Sequence, residues 1–163
     1  MGALNGMKTF TVRYGHLKES PIAKKGDIIF RGDKVGIMGS TGQSKHNHLH
    51  IDLIEGFINH IVRLDNIGYE DEFSYKPNIK QLNYFIDEEL FGIKPVITTP
   101  FYDPEYERLF DKHHPGYDVV PKDRHETQDH FSIYWNRSKS GIILDKGFDK
   151  NGYGNYILIG FEE

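Results

Sequence analysis

The sequence predicts a mostly β protein: a single antiparallel-sheet domain with a short helix in a connection. Three observations carry that prediction. Phe, Tyr and Gly are abundant, 11, 10 and 17 of 163 residues, a composition of strands joined by tight turns. Apolar and polar residues alternate over 8–17 (KTFTVRYGHL) and 48–53 (HLHIDL), which is the period of a half-buried strand. Glycines punctuate short apolar runs toward both ends of the chain, as turns between strands require. The 163 residues suit one domain, long enough to bury a core without disulfides or metal staples.

The elements follow in order. Asn5-Gly6 is a hairpin-turn signal. In the strand after it, Phe10, Val12 and Tyr14 face one side and Thr9, Thr11 and Arg13 the other. Short apolar runs at 26–30 and 35–39 lie between Gly26, Gly32, Gly39 and Gly42, and 48–53 is a further strand. Residues 57–95 lose the glycine punctuation. There Leu82, Phe85, Ile86, Leu90 and Phe91 fall near helical spacing, which predicts a short helix over 81–91, with Pro77 and Pro95 as boundaries. Strands return at 132–134, 141–144 and 155–161, the last after a turn at 151–155. The polar stretch 122–130 (KDRHETQDH) predicts a surface insertion.

Composition excludes several functions. A net charge of −4 opposes nucleic-acid binding, which depends on neutralising phosphates. The absence of cysteine removes disulfides, thiolate-bound zinc and a thiol nucleophile together. No apolar run reaches the roughly 18 residues of a membrane span. The first twenty residues lack the basic head and apolar stretch of a secretory signal.

Three clusters could carry chemistry. His48-Leu49-His50 puts two imidazoles at i and i+2 of a strand, on one face. His114-Pro115-Gly116-Tyr117-Asp118 offers an imidazole and a carboxylate four apart, with Pro and Gly bending the chain between them. His16 ends the first strand. Imidazole and carboxylate without thiolate suit zinc, and three protein ligands with an open fourth position form a catalytic arrangement. Each cluster also has a plainer reading. An H-x-H arises by chance in a chain with 9 His, and His114 with Asp118 can be a hydrogen-bonded turn. His46, His60, His113, His125 and His130 read as solvent-exposed, with His46 a candidate rim residue.

Taken together, YGHL (14–17), KKGDIIFRGDKVGIMGSTGQS (24–44) and HLHIDL (48–53) strongly resemble the second half of the lysostaphin/LytM-type zinc metallopeptidases. HPGYD (114–118), SGIIL (140–144) and GYGNYILIGF (152–161) resemble its first half, with an H-x-G-x-D motif and a G-Y-G-N turn before an apolar strand. The order is reversed. The resemblance therefore implies a circular permutant: 1–53 as the second half of the family fold, 54–94 as a connector and 95–163 as the first half. Permutation is reasonable where chain ends lie near one another at the surface. It predicts that residues 157–161 pair with 9–13 as antiparallel neighbours.

The same resemblance implies the roles. His114, Asp118 and His50 would hold Zn2+, and the H-x-G-x-D spacing selects His114 rather than His113. His48 and His16 would be the non-ligand pair that steers and deprotonates water. Tyr106, rather than Tyr102, is taken as the hydroxyl that stabilises the developing oxyanion. The implied reaction is hydrolysis of a peptide bond in the stems or cross-bridges of bacterial peptidoglycan. Two departures from the family pattern stand near the expected groove: Asn47, where the family commonly has Pro, and the long segment 122–131. The architecture points to a phage origin, a location outside the cell or on a virion, and other virion proteins as partners. The competing reading is a non-catalytic wall-binding or structural module of a phage tail or secretion apparatus. Such relatives typically lose zinc ligands, and this chain keeps all three.

Overall fold

The computed structural model describes residues 8–60, 76–110, 113–123 and 131–163. The Asn5-Gly6 turn, part of the connector (61–75), and His125 and His130 with most of the predicted insertion (124–130) lie outside the described residues. Among the described residues, nine strands and two helices follow in chain order: β1 (Thr9–Leu17), β2 (Ile28–Ile29), β3 (Lys34–Ile37), β4 (Leu49–Glu55), α1 (Ile79–Asn83), β5 (Pro95–Thr99), α2 (Pro104–Phe110), β6 (Tyr117–Pro121), β7 (Ser132–Tyr134), β8 (Gly141–Asp149) and β9 (Gly154–Glu162). The protein is mostly β, as its composition predicts. No helix among these residues is long and apolar enough to cross a membrane.

Seven strands form one antiparallel sheet in the order β2-β8-β9-β1-β4-β6-β5, and β3 pairs with β7 separately. The first and last strands are neighbours: Thr9 faces Glu162, Val12 faces Ile159 and Arg13 faces Leu158. This is the predicted pairing of the two ends of the chain. On β1's other side lies β4, with Arg13 opposite Asp52 and Gly15 opposite His50.

That central place changes the reading of β1. It is not half-buried: Thr11 and Arg13 are 2% exposed, as deeply enclosed as Phe10. One face of the sheet packs Val12, Tyr14, Leu49, Ile51, Ile157 and Phe161 into the main core. A smaller cluster of Ile54, Ile58, Tyr153, Tyr156 and Leu158 covers part of the other face.

The predicted helix over 81–91 is corrected. Only Ile79–Asn83 is helical, capped by the Asn78 side chain accepting from the Gln81 amide. After it the chain tightens into i→i+3 turns, with Phe85 N–H donating to the Leu82 carbonyl and Ile86 N–H to that of Asn83. The apolar spacing served burial instead of helix: Leu82, Phe85, Leu90 and Phe91 all enter the main core.

Two strands and one helix were not foreseen. β5 is a run of β-branched residues after Pro95, at the sheet edge where a proline costs no ladder bond. β6 continues straight out of the HPGYD bend. α2 begins at Pro104, with Asp103 accepting from the Tyr106 amide, a start signal visible in the sequence. β8 also runs five residues past its predicted end at 144, to Asp149, as the long arm of a hairpin with β9.

Candidate metal centre

The site forms where β4, β6 and β1 lie side by side. β4 sets His50 directly opposite Asp118 of β6, with His50 Nδ1 3.1 Å from Asp118 Oδ1. The bend before β6 brings His114 Nε2 to 3.3 Å from the same oxygen. One ligand atom from each of His50, His114 and Asp118 lies within 4.8 Å of the others. His50 and His114 are 4% and 2% exposed. Gly116 makes this approach possible: a Cβ there would stand 2.2 Å from the Ile51 carbonyl oxygen and 2.6 Å from Asp52 Cβ.

His48 and His16 complete the cluster. His48 Nε2 is 3.6 Å from Asp118 Oδ1, and its ring centre is 4.9 Å from that of His16. His16 stands at an irregularity in the β1–β9 ladder, between Tyr14 and Leu17, with a left-handed φ of 60°. Its amide donates to the Tyr153 carbonyl at 2.6 Å. The loop that holds its ring is interlocked with the turn before β9. Gly42 and Gly154 both have positive φ, and a Cβ on Gly42 would meet Gly154 N at 2.2 Å.

The ring nitrogens are sorted by their partners. His114 Nδ1–H donates to the Pro100 carbonyl at 3.0 Å, His16 Nδ1–H to that of Thr41 at 2.7 Å and His48 Nδ1–H to that of His46 at 2.8 Å. His50 uses its other nitrogen, Nε2–H, toward Asp52 Oδ2 at 2.7 Å. As a neutral imidazole, each ring thereby keeps a lone pair for the site. Lone pairs of His50 Nδ1 and His114 Nε2 and a carboxylate converge, which a cation satisfies. Two imidazole nitrogens and one carboxylate oxygen match the donor preference of zinc.

The electrostatics agree. Burial disfavours a charged imidazole at His50, but its bonds to Asp118 and Asp52 outweigh burial and raise its pKa to about 9. The place between those carboxylates thus favours a positive charge, a proton or a metal ion. Asp118 is held well below the usual carboxylate range: burial opposes its charge, and bonds from His114 and His50 overcome that. Burial, then repulsion from His50 and His48, lowers His16 to about 4, so it is a neutral imidazole at neutral pH. His48 is lowered as well, chiefly by burial.

Beside the centre lies a groove with a cavity of about 430 Å³, lined by residues that include Lys45, Asn47, His48, Thr98, Thr99 and Asp118. Tyr106 packs its ring 4.6 Å from that of His114. Tyr102 instead stacks between Phe101 and His113. That stacking corrects the reading of His113, which is half-buried and 3.2 Å from Glu107. His46 and His60 are exposed.

Sequence reasoning missed the layer behind His50. Asp52 is 1% exposed and also pairs with Arg13 Nη2 at 2.8 Å. The Arg13 guanidinium lies 3.7 Å over the Tyr153 ring, and that ring is 5.3 Å from His50. The H-L-H-I-D spacing places Asp52 on the face of His50, which was the available signal. Arg13 could be found only through the strand register.

Fold and site together define a β protein with a His/His/Asp centre able to hold a metal ion. The model of Peptidase family M23 matches residues 3–60, about a third of the chain. The match includes His16, His48 and His50, while His114 and Asp118 lie beyond it. It supports a peptidase of the LytM type, a hydrolase from a family whose members are typically metallopeptidases. No curated protein and no solved structure matches the chain.

Proposed function

We propose that this chain is a zinc-dependent endopeptidase that cleaves peptide bonds in bacterial peptidoglycan, in the stem or the cross-bridge. The observation that carries the reading is the gathering of His50, His114 and Asp118 around one small volume, with His16 and His48 beside them. The family match over residues 3–60 supports the peptidase class.

Bound zinc would supply Lewis acidity, polarising a peptide carbonyl and making water a nucleophile at neutral pH. His50, His114 and Asp118 would hold it. His16, neutral and anchored through Nδ1 to Thr41, presents Nε2 as the base that takes a proton from the attacking water. His48, anchored to His46, presents its own Nε2 beside Asp118 and shares that task. The Tyr106 hydroxyl donates to the oxyanion that develops on the carbonyl. The groove between Lys45–Asn47 and Thr98–Thr99 receives the peptide.

The reversed order of the two halves is read as a circular permutation, supported by the pairing of β1 with β9. A phage origin and an action at the cell wall belong to the same reading. The test is chemical. Purified protein with zinc should release new amino groups from peptidoglycan, a chelator should stop it, and no reducing sugar ends should appear. Zinc-loaded protein that binds walls of every cross-link type and cuts none would favour the wall-binding module.

A further inference from the structure

We propose that Asp52 and Arg13 are positioning residues of the metal centre: Arg13 holds Asp52, and Asp52 fixes His50 as the Nε2–H tautomer, leaving Nδ1 for the metal. This rests on the metal-site reading above and goes beyond its ligands.

The geometry points one way along the chain of contacts. Asp52 Oδ2 accepts from His50 Nε2 at 2.7 Å and from Arg13 Nη2 at 2.8 Å. Arg13 and Asp52 are direct partners in the β1–β4 ladder, so the backbone fixes their approach. Both are almost fully enclosed. Gly15, the ladder partner of His50, lies against Tyr153: a Cβ at Gly15 would stand 3.4 Å from Tyr153 Cβ. Tyr153 lies under the Arg13 guanidinium and beside His50, so arginine, carboxylate and imidazole are held from behind.

Stability alone is a weak reason for such a pair. Two buried charges lose hydration, and apolar residues of similar volume often serve the fold as well. An imidazole ligand, in contrast, gains from a carboxylate on its second nitrogen, which sets both tautomer and ring orientation. Asp52 meets that need and Arg13 keeps its carboxylate aimed.

The test uses the full chain and zinc. Replacing both charges together, Arg13→Met with Asp52→Leu, should leave a cooperative melt in chelator and weaken zinc binding by about 10–100-fold. Arg13→Met with Asp52→Asn restores an acceptor for Nε2–H and should recover most of that loss. Equal zinc affinity in both double variants would overturn the proposal. The wild-type protein supplies a measurement that needs no variant. In its zinc-loaded form, long-range 15N–1H spectra should show the His50 proton on Nε2. A proton on Nδ1 would overturn the role of Asp52 while leaving the metal site intact. Wild-type protein that takes up no zinc would overturn the metal-site reading and this proposal with it.

Discussion

The main chains of Lys8 and Glu163 exchange two hydrogen bonds, Lys8 N–H to the Glu163 carbonyl at 3.1 Å and Glu163 N–H to that of Lys8 at 2.9 Å. The ends of β1 and β9 thus stand as the two arms of a hairpin that lacks its turn. An Asn-Gly turn joining Glu163 to Lys8 suits that geometry. A chain running from residue 76 to 163, through Asn-Gly, and from 8 to 60 should fold and keep its zinc affinity. Circular dichroism and a zinc titration check it; a relinked chain that cannot fold counts against the permutation.

Ligand and auxiliary residues should separate experimentally. His50→Ala, His114→Ala and Asp118→Ala should lose metal and activity together. His16→Ala and His48→Ala should keep metal and lose activity by about 10²–10⁴-fold, the usual worth of a positioned base. Metal content and amino-group release, measured on the same samples, distinguish the two groups.

Zinc binding should depend on pH through His50. Its raised pKa, about 9, means that a proton occupies the imidazole at neutral pH and must leave when the metal binds. Asp118, held low, is already ionised and releases none. Apparent affinity should therefore rise by about tenfold per pH unit up to about pH 9, then level off. Isothermal titration in buffers of different ionisation enthalpy should count one proton released.

Gly116→Ala should damage fold and site together. The new methyl would collide with the Ile51 carbonyl and with Asp52, backbone and buried side chain that cannot swing away. A loss of about 1–3 kcal/mol is expected, with weaker zinc binding. Thermal melts and a zinc titration measure both.

Tyr106→Phe should lower kcat by about 10²–10³-fold, the worth of one oxyanion donor, and leave zinc affinity unchanged. Tyr102→Phe should alter neither, because Tyr102 stacks away between Phe101 and His113. Steady-state kinetics on a peptide released from the wall would show the split.

Much of the site was legible because its motifs are local. H-x-H needs only the two-residue period of a strand, and HPGYD needs only its own bend. Their meeting was legible through resemblance, since nothing in the spacing alone brings residue 50 to residue 118. The layer behind them was harder. Arg13 reads as the polar side of an alternating strand, and only the register with β4 reveals that Asp52 faces it. The helix was misjudged for a related reason: Leu82, Phe85, Leu90 and Phe91 show that burial, not helical geometry, produced the apolar spacing.

His50 and Asp118 touch across 68 positions of sequence. An ion gripped by both would be a fastener between distant stretches of one chain, closing a long loop that the unfolded chain leaves open. Whatever binds only the folded form also stabilises it by mass action. The same ion that equips the site for chemistry would then set how long the protein endures, so scarcity of metal would shorten its life as well as silence it.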